Sequence, residues 1–530
     1  MLVNMGRVFR QTALQYADLP AVINVERDRS YTYARMHELS NRLSNALKRR
    51  FGLGDGDFYA TILDNDNMAL FHPWMLKSPV GAVWIDVRDS VDEQVSRLEH
   101  AGPKLVFLEA RLLPPLYDYL RNNRITPVVM DTPENAATDV FYFWDLVEQA
   151  APDEVEDVLA ADDASAHISV LRFTGGTTGT AKCAPYTLAN LWTWGCNPAH
   201  YYETFPFEHP RALFFSPLHH AASGSVVIPV HIKGGTVITL NGADPEGIGR
   251  TIERHEVNMI YAVPTVLYRM LEMNLPEKYD LSSLKTIRYG GSPISPAKLE
   301  ILLEHFGQIF VQGYGATECW PSATILGRQD HGTRTREQID KLQSVGRPMP
   351  GEEVLICDKD GRQLPAGERG EIWIRGPNTI AGYYRAPGLT KSNFSGDGFW
   401  KSGDMGYMDE NGYVYLVDRK QDMIITGGYN VYAVEVENCL NSHPAIQNSA
   451  VVGIPHEFWG EAVCAMVMLA QGSTASPEDL IEHCKARLAR YKAPKKIVIT
   501  DQLPLSPAGK VLRREVRRLF KDGDNAKMID

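Results

Sequence analysis

The sequence predicts an α/β protein: a large multilayer N-terminal domain with mostly parallel sheets plus an antiparallel β subdomain, followed by a small α+β C-terminal domain. Three observations carry this. Strand-length apolar runs alternate with helical patterns from Phe58 to Met130 and again from Ala212 to Gln312, the rhythm of parallel α/β layers. Near Gly351 the texture changes to short runs separated by K-D-G, A-G-E-R-G and D-E-N-G turns, which read as antiparallel hairpins. After Asp418 it changes again, to helices mixed with two long apolar strands. A chain of 530 residues is also too long for one core.

In order, Phe58–Leu63 reads as a strand, Met68–Lys77 as a helix, Ala82–Val87 as a strand, Val91–His100 as a helix, Lys104–Leu108 as a strand and Pro115–Asn122 as a helix. The acidic, Ala-rich stretch Ala150–Ala166 reads as a surface connection. It leads to the strand Ile168–Phe173. The rhythm resumes at Ala212–Ser216, Thr236–Leu240, Asn258–Ala262, Lys285–Tyr289 and Gln308–Gln312, with helices such as Pro296–Phe306 between. Glu353–Cys357, Glu371–Arg375 and Tyr413–Val417 are the hairpin strands. Beyond them Val434–Leu440 is helical, Ser449–Ile454 and Ala462–Leu469 are strands, and Lys495–Thr500 is one more. Pro477–Tyr491 is a helix with Ser476 as N-cap, Pro477 at its first position and Asp479 as the capping-box acid. The domains are therefore 1–418 and 423–530, joined through 419–422. No internal repeat stands out, and Lys521–Asp530 is a polar tail.

A formal charge of −11 argues against a dedicated nucleic-acid binder. Seven cysteines, widely spaced and without a C-x-x-C, suggest neither a zinc site nor a disulfide framework, and a reducing compartment fits. The N-terminus lacks the apolar core of a signal peptide, and the longest apolar run, Ala462–Ala470, is too short to span a bilayer. A cytoplasmic enzyme with no membrane partner is the expectation.

The stretch most suggestive of chemistry is Arg172–Ala184, R-F-T-G-G-T-T-G-T-A-K-C-A. Glycines let several N–H groups converge, threonines add hydroxyls and Lys182 adds a point charge, which suits the oxygens of a polyphosphate. A polar surface turn is the plain alternative. It is not a Walker A loop, because Lys182 precedes Cys183 rather than Ser or Thr. A second loop, Gln312–Glu318 (Q-G-Y-G-A-T-E), pairs a hydroxyl with a carboxylate that can hold Mg²⁺ beside a phosphate, or is a tight turn with a helix N-cap. W-K-S-G-D around Asp404 is either a sugar-hydroxyl acceptor on a Gly turn or a hairpin-turn aspartate. Asp418–Asp422 is a solvated linker or a hinge. Lys510 stands on a Pro/Gly loop, where lone lysines are usually just solvated.

Together these segments resemble the adenylate-forming superfamily of acyl-CoA synthetases, peptide-synthetase adenylation domains and luciferases, and most of all an acid–CoA ligase. T-G-G-T-T-G-T-A-K matches its phosphate loop. S-P-L-H-H matches the Pro-Leu-x-His segment, G-Y-G-A-T-E and K-S-G-D the next two motifs, D-R-K-Q-D the hinge, and S-P-A-G-K the catalytic-lysine loop. The order is the family's and nearly the whole chain is covered. Departures are Gly175, Ala181, Cys183 and, at the hinge position, Gln421.

The resemblance implies ATP-dependent conversion of a carboxylic acid to an acyl-adenylate, then transfer to a thiol, with a mobile C-terminal domain. It assigns the β- and γ-phosphates to Thr174, Gly175, Gly176, Thr177, Thr178, Gly179 and Lys182, and the α-phosphate to Thr317. Mg²⁺ goes to Glu318 and the bridging role in the transition state to Lys510. Tyr314 would stack on adenine, flanked by Gln312, Gly313, Gly315 and Gly291-Ser292-Pro293. Asp404 and Arg419 would hold the ribose. Gly427 and Gly428 would line a pantetheine tunnel and Trp459 would pack on coenzyme A, unless it is simply a half-exposed aromatic. The acid would be lined by His220, Ala221, Ala222, Gly224, Gly291, Ser292 and Gly313. These residues are mostly small, so a medium-chain, aryl or polycyclic acid is expected. Coenzyme A is the expected acceptor, with a free carrier protein as the alternative enzyme and a non-catalytic nucleotide binder as the alternative class. A monomer or homodimer is expected.

Overall fold

The structure, a computed structural model, describes residues 5–71, 79–131, 140–154, 166–174, 182–197, 203–220, 226–320, 322–420, 422–505 and 511–522. Four sheets organise it. The largest has nine strands. Its centre is the parallel set Pro20–Asn24, Thr236–Thr239, Arg211–Phe214, Met259–Ala262, Thr286–Gly290 and Phe310–Tyr314. Antiparallel strands close both edges: Arg29–Thr32 on one side, Thr324–Leu326 and Arg347–Pro348 on the other. A seven-stranded sheet runs Phe141–Tyr142, Thr126–Val129, Leu105–Leu108, Phe58–Ile62, Gly81–Trp84, Ile168–Phe173, Cys183–Thr187, parallel except for the last strand.

Side-chain alternation explains why these sheets are layers. Ala212 and Phe214 join a core shared with the seven-stranded sheet, whereas Leu213 and Phe215 join a separate core on the far side. Tyr59 faces the shared core, while Phe58, Ala60 and Ile62 face the outer one. Both faces are covered, so the strands read as unbroken apolar runs.

Glu353–Cys357, Gly370–Arg375, Trp400–Met408 and Val414–Arg419 form the expected antiparallel sheet. The last sheet starts at Ile424. It contains the hairpin Ile424–Thr426/Tyr429–Val431, the long pair Ile446–His456/Gly460–Leu469, and Lys496–Ile499. Its two faces carry separate cores.

Several elements differ from the sequence reading. The N-terminal region adds the helices Met5–Gln15 and Tyr33–Asn45 and two strands between them, of which Pro20–Asn24 is an integral parallel strand. In the Met68–Lys77 region the described helix is Asn65–Met68, then a tight turn over Ala69–Phe71; 72–78 lie outside the described residues. The Pro477 helix ends at Lys485, short of Tyr491. Its capping box is present as read. Asp404 sits in neither kind of turn: it lies within the Trp400–Met408 strand beside a bulge, cross-strand from Arg419. Arg419 in turn ends a strand rather than opening a linker. No helix follows Thr317–Glu318, so the N-cap alternative is set aside; the chain turns back into the Thr324–Leu326 strand. Among the described residues no helix is long and apolar enough to cross a membrane.

Candidate active site

The strands Ile168–Phe173 and Cys183–Thr187 form a hairpin whose tip is the glycine-rich loop. Thr174 N–H donates to the Lys182 carbonyl at 2.9 Å and closes the loop's base. Gly175, Gly176, Thr177, Thr178 and Gly179 lie outside the described residues. Lys182 Nζ donates to Asn393 Oδ1 at 3.1 Å and lies 5.3 Å from the centre of the Tyr383 ring. Neither contact is anionic; the carboxylate its charge acts on is Glu318.

The second loop leaves the Phe310–Tyr314 strand. Glu318 is buried, and its Oε1 accepts the Tyr383 hydroxyl at 2.7 Å. Burial raises its carboxyl above the ordinary range, against the Tyr383 bond and the nearby charges of Lys182 and Arg419. Among the described residues no lysine or arginine ion-pairs with it. A buried carboxylate without a cation is costly, and its hard oxygen suits Mg²⁺, so the donor chemistry fits that ion. Thr317 is anchored from behind: its carbonyl accepts the hydroxyl of buried Tyr186. Arg172, also buried, lies over the rings of Trp84, Tyr186 and Trp320 at 5.5, 5.9 and 5.2 Å.

Tyr314 and Asp404 are joined across two sheets, the hydroxyl donating to Asp404 Oδ2 at 2.7 Å. Arg419 Nε approaches the other oxygen at 3.4 Å. Gln312 is buried and accepts the Tyr289 hydroxyl at 3.3 Å. Gly290 and Gly313 face each other in register, and a Cβ on Gly290 would stand 2.4 Å from the Gly313 carbonyl oxygen. Gly291 follows at φ +82°, a left-handed turn that starts the Gly291-Ser292-Pro293 segment, in which Gly291 and Pro293 are exposed.

His219 and His220, the latter expected to line the acid, converge on Asp86, their Nε2 atoms 3.2 and 3.6 Å from Oδ2. Arg88 bonds Asp86 at 2.9 Å and reaches to 3.4 Å from His220 Nε2. Burial alone would raise the Asp86 carboxyl, but the two histidines and Arg88 hold it well below the usual range. Desolvation lowers both imidazoles, against the pull of Asp86. Asn65 fixes the backbone that carries them. Its amide donates to the carbonyls of Ser216 (3.0 Å) and Leu240 (2.8 Å), and its oxygen accepts from Leu218 N–H at 2.8 Å. Ala221, Ala222 and Gly224 lie outside the described residues.

Sequence reasoning missed Asn65, Asp86, Arg88, Tyr186 and Tyr383. One signal was available for the first two: they follow the neighbouring strands Phe58–Ile62 and Gly81–Trp84. Chain order reverses there in the sheet, the position where open α/β sheets bind ligands.

In the C-terminal sheet, Gly427 and Gly428 are the two-residue tip of the Thr426↔Tyr429 hairpin, both at positive φ (+57° and +81°). Gly427 N–H donates to the Trp459 carbonyl at 2.8 Å. The Trp459 ring stacks on His456, with Lys495 over it at 4.8 Å. These contacts lie within the C-terminal sheet and do not join the Lys182–Glu318 group. Gln421 and Lys510 lie outside the described residues. Their flanks are tied together: Arg513 bonds Glu437 at 2.7 Å and approaches Asp422 at 3.7 Å, and Arg517 bonds Asp422 at 2.9 Å.

Comparison with known proteins places this geometry. The AMP-binding enzyme family matches residues 9–384, and the AMP-binding enzyme C-terminal domain matches 435–510. A feruloyl-CoA synthase of Amycolatopsis sp. is 35% identical over 497 residues, 92% of this chain and 94% of that one. A long-chain-fatty-acid–CoA ligase of Yersinia pestis is 30% identical over 96% of this chain and 93% of its own. Among solved structures, o-succinylbenzoate CoA synthetase from Bacillus subtilis, in complex with its acyl-adenylate intermediate, superposes with a TM-score of 0.79 at 28% identity. It covers 96% of this chain and 97% of that one.

Proposed function

Because the chain belongs to the AMP-binding enzyme family, as an AMP-forming acyl-CoA synthetase that converts a carboxylic acid to its acyl-adenylate and then to the coenzyme A thioester, we propose how its residues divide the two half-reactions. Lys182, with the loop from Thr174, holds the β- and γ-phosphates of ATP. Thr317 holds the α-phosphate, and Asp404, oriented by Tyr314, accepts the ribose hydroxyls with Arg419 beside it. Lys510 bridges carboxylate and α-phosphate. Two anions approach each other in this step, so positioning and neutralisation lower the barrier most. Glu318 would hold Mg²⁺, which would supply charge neutralisation on the phosphates and the departing pyrophosphate. Gly427, Gly428 and Trp459 serve the thiol of coenzyme A, on a C-terminal domain that turns about 419–422.

One observation carries the reading: segments near residues 182, 318 and 383 meet so that the Lys182 ammonium and the Glu318 carboxylate flank one tyrosine. For the acid we propose a ring-bearing or medium-to-long apolar chain. The small residues expected to line it, such as Gly291 and Gly313, support it. The printed names of the feruloyl and long-chain relatives support it too. The test is a panel of aryl and fatty acids with ATP, scoring pyrophosphate release with and without coenzyme A. Lys510→Ala should abolish acid-dependent pyrophosphate exchange yet leave thioester formation from preformed acyl-adenylate largely intact. Equal loss of both activities in a folded variant would refute the division.

A further inference from the structure

The geometry points to Tyr383 as the positioning residue that couples Lys182 to Glu318, and that leaves one carboxylate oxygen of Glu318 for the metal ion. This rests on the reading of Glu318 as the Mg²⁺ carboxylate.

The segment carrying Tyr383 is bound to both loops by its backbone. Ile380 N–H donates to the Glu318 carbonyl and Tyr384 N–H to the Cys183 carbonyl, each at 2.9 Å. Thr379 bridges to Cys319. Tyr383 N–H donates to Thr390 Oγ1 at 2.9 Å, and Phe394 lies against its ring at 5.8 Å, which fixes the side chain from the Pro387–Asn393 helix. Tyr383 is 5% exposed and Glu318 6%, so their 2.7 Å bond is shielded from water. There a hydrogen bond to a charged group counts for more than at the surface.

Two consequences follow from this one ring. Oε1 of Glu318 is engaged by the hydroxyl, so Oε2 is the oxygen left for a cation. The face of the ring holds Lys182 by its quadrupole. An aspartate or glutamate at 383 would hold Lys182 too, but would neutralise it and repel the phosphates. A tyrosine orients the lysine without quenching it and meets the carboxylate with a donor. The same rigid side chain therefore fixes the spacing between the cation for the terminal phosphates and the metal's carboxylate.

The experiment uses the full-length enzyme with ATP and Mn²⁺ as the Mg²⁺ probe, following free Mn²⁺ by electron paramagnetic resonance. Pyrophosphate exchange is measured in parallel against Mg²⁺ concentration. Tyr383→Phe keeps the ring and removes the hydroxyl. It should weaken Mn²⁺ binding and raise the Mg²⁺ requirement about tenfold, as expected for losing one hydrogen bond to a charged group, with KM for the acid unchanged. Tyr383→Leu should in addition raise KM for ATP, because Lys182 loses its seat. In a Glu318→Gln background Tyr383→Phe should have no further effect on Mn²⁺. Wild-type Mn²⁺ affinity in Tyr383→Phe, or a uniform rise in all KM values with loss of thermal stability, would overturn the proposal. If Glu318→Gln itself leaves Mn²⁺ binding intact, the metal assignment of Glu318 is what fails. If Glu318→Gln weakens it and Tyr383→Phe does not, only the coupling fails.

Discussion

Asn65 offers a test of how His219 and His220 are held, because its two isosteric faces do opposite jobs. Its amide nitrogen serves two carbonyls, Ser216 and Leu240, and its oxygen serves Leu218 N–H. Asn65 and Leu218 are buried, while Ser216 and Leu240 are half-buried, so little water reaches the amide to replace lost partners. Asn65→Ala removes three hydrogen bonds at roughly 1 kcal/mol each, so a loss of about 3 kcal/mol is expected. Asn65→Asp keeps the acceptor for Leu218 but turns an oxygen toward two carbonyls and buries a charge, adding several kcal/mol at neutral pH. The aspartate relieves this by taking up a proton, so its folded-state pKa lies above the unfolded value. Its penalty is smallest below about pH 4 and grows as pH rises. The assay is urea unfolding at pH 5 and pH 8, with KM values for acid and ATP from pyrophosphate exchange. Aspartate should be worse than alanine at pH 8 and recover at pH 5. KM for the acid should rise in both variants while KM for ATP holds, because His219 and His220 ride on the strapped backbone. An aspartate variant as stable as alanine at pH 8, or one indifferent to pH, would refute the donor–acceptor assignment.

Two further outcomes are expected. Burial pushes Glu352 up to about 7, against its bonds to Asn378 and Thr379, so its contribution to stability is present at low pH and lost as pH rises from the ordinary glutamate range through 7. Glu352→Gln should flatten that loss and gain on the order of 3 kcal/mol relative to wild type between pH 4 and 8 by urea unfolding; a parallel pH profile would contradict it. Gly313→Ala would place its Cβ 2.5 Å from Ser322 Oγ and 3.2 Å from Arg288 Nη2, and should weaken ATP binding by about tenfold or more. Adding Ser322→Gly should recover part of it by calorimetric titration; a neutral Gly313→Ala would show that the strand can yield.

What was legible in the sequence was local. The Ile168–Phe173 strand, the capping box at Ser476 and the antiparallel turns near Gly351 announce themselves within a few residues, because periodicity and turn chemistry act over that range. The order of the loops gave the family resemblance that the comparisons bear out. What was not legible was the support behind each loop. Tyr383 acts on Glu318 across 65 positions and Asn65 on Ser216 across 151. No local pattern distinguishes a tyrosine that orients a carboxylate from one that fills a core. Pro20–Asn24 was missed for a related reason: a five-residue strand opening with proline has little signal of its own, and it is the groove between Thr236–Thr239 and Arg29–Thr32 that makes it a strand. Asp404 shows the converse, since the Gly403 beside it reads as a turn but serves a bulge inside a strand.

The bond between Tyr314 and Asp404 also bears on the entropy of nucleotide capture. Tyr314 ends a strand of the nine-stranded sheet, and Asp404 belongs to the antiparallel sheet. With Tyr314 proposed for the base and Asp404 for the ribose, this bond would make the two one rigid template. Little side-chain freedom is left to lose there when adenosine docks, so more of the contact energy remains as affinity. On the proposed assignment, a nucleoside would be recognised as a single shape rather than as a base and a sugar in turn.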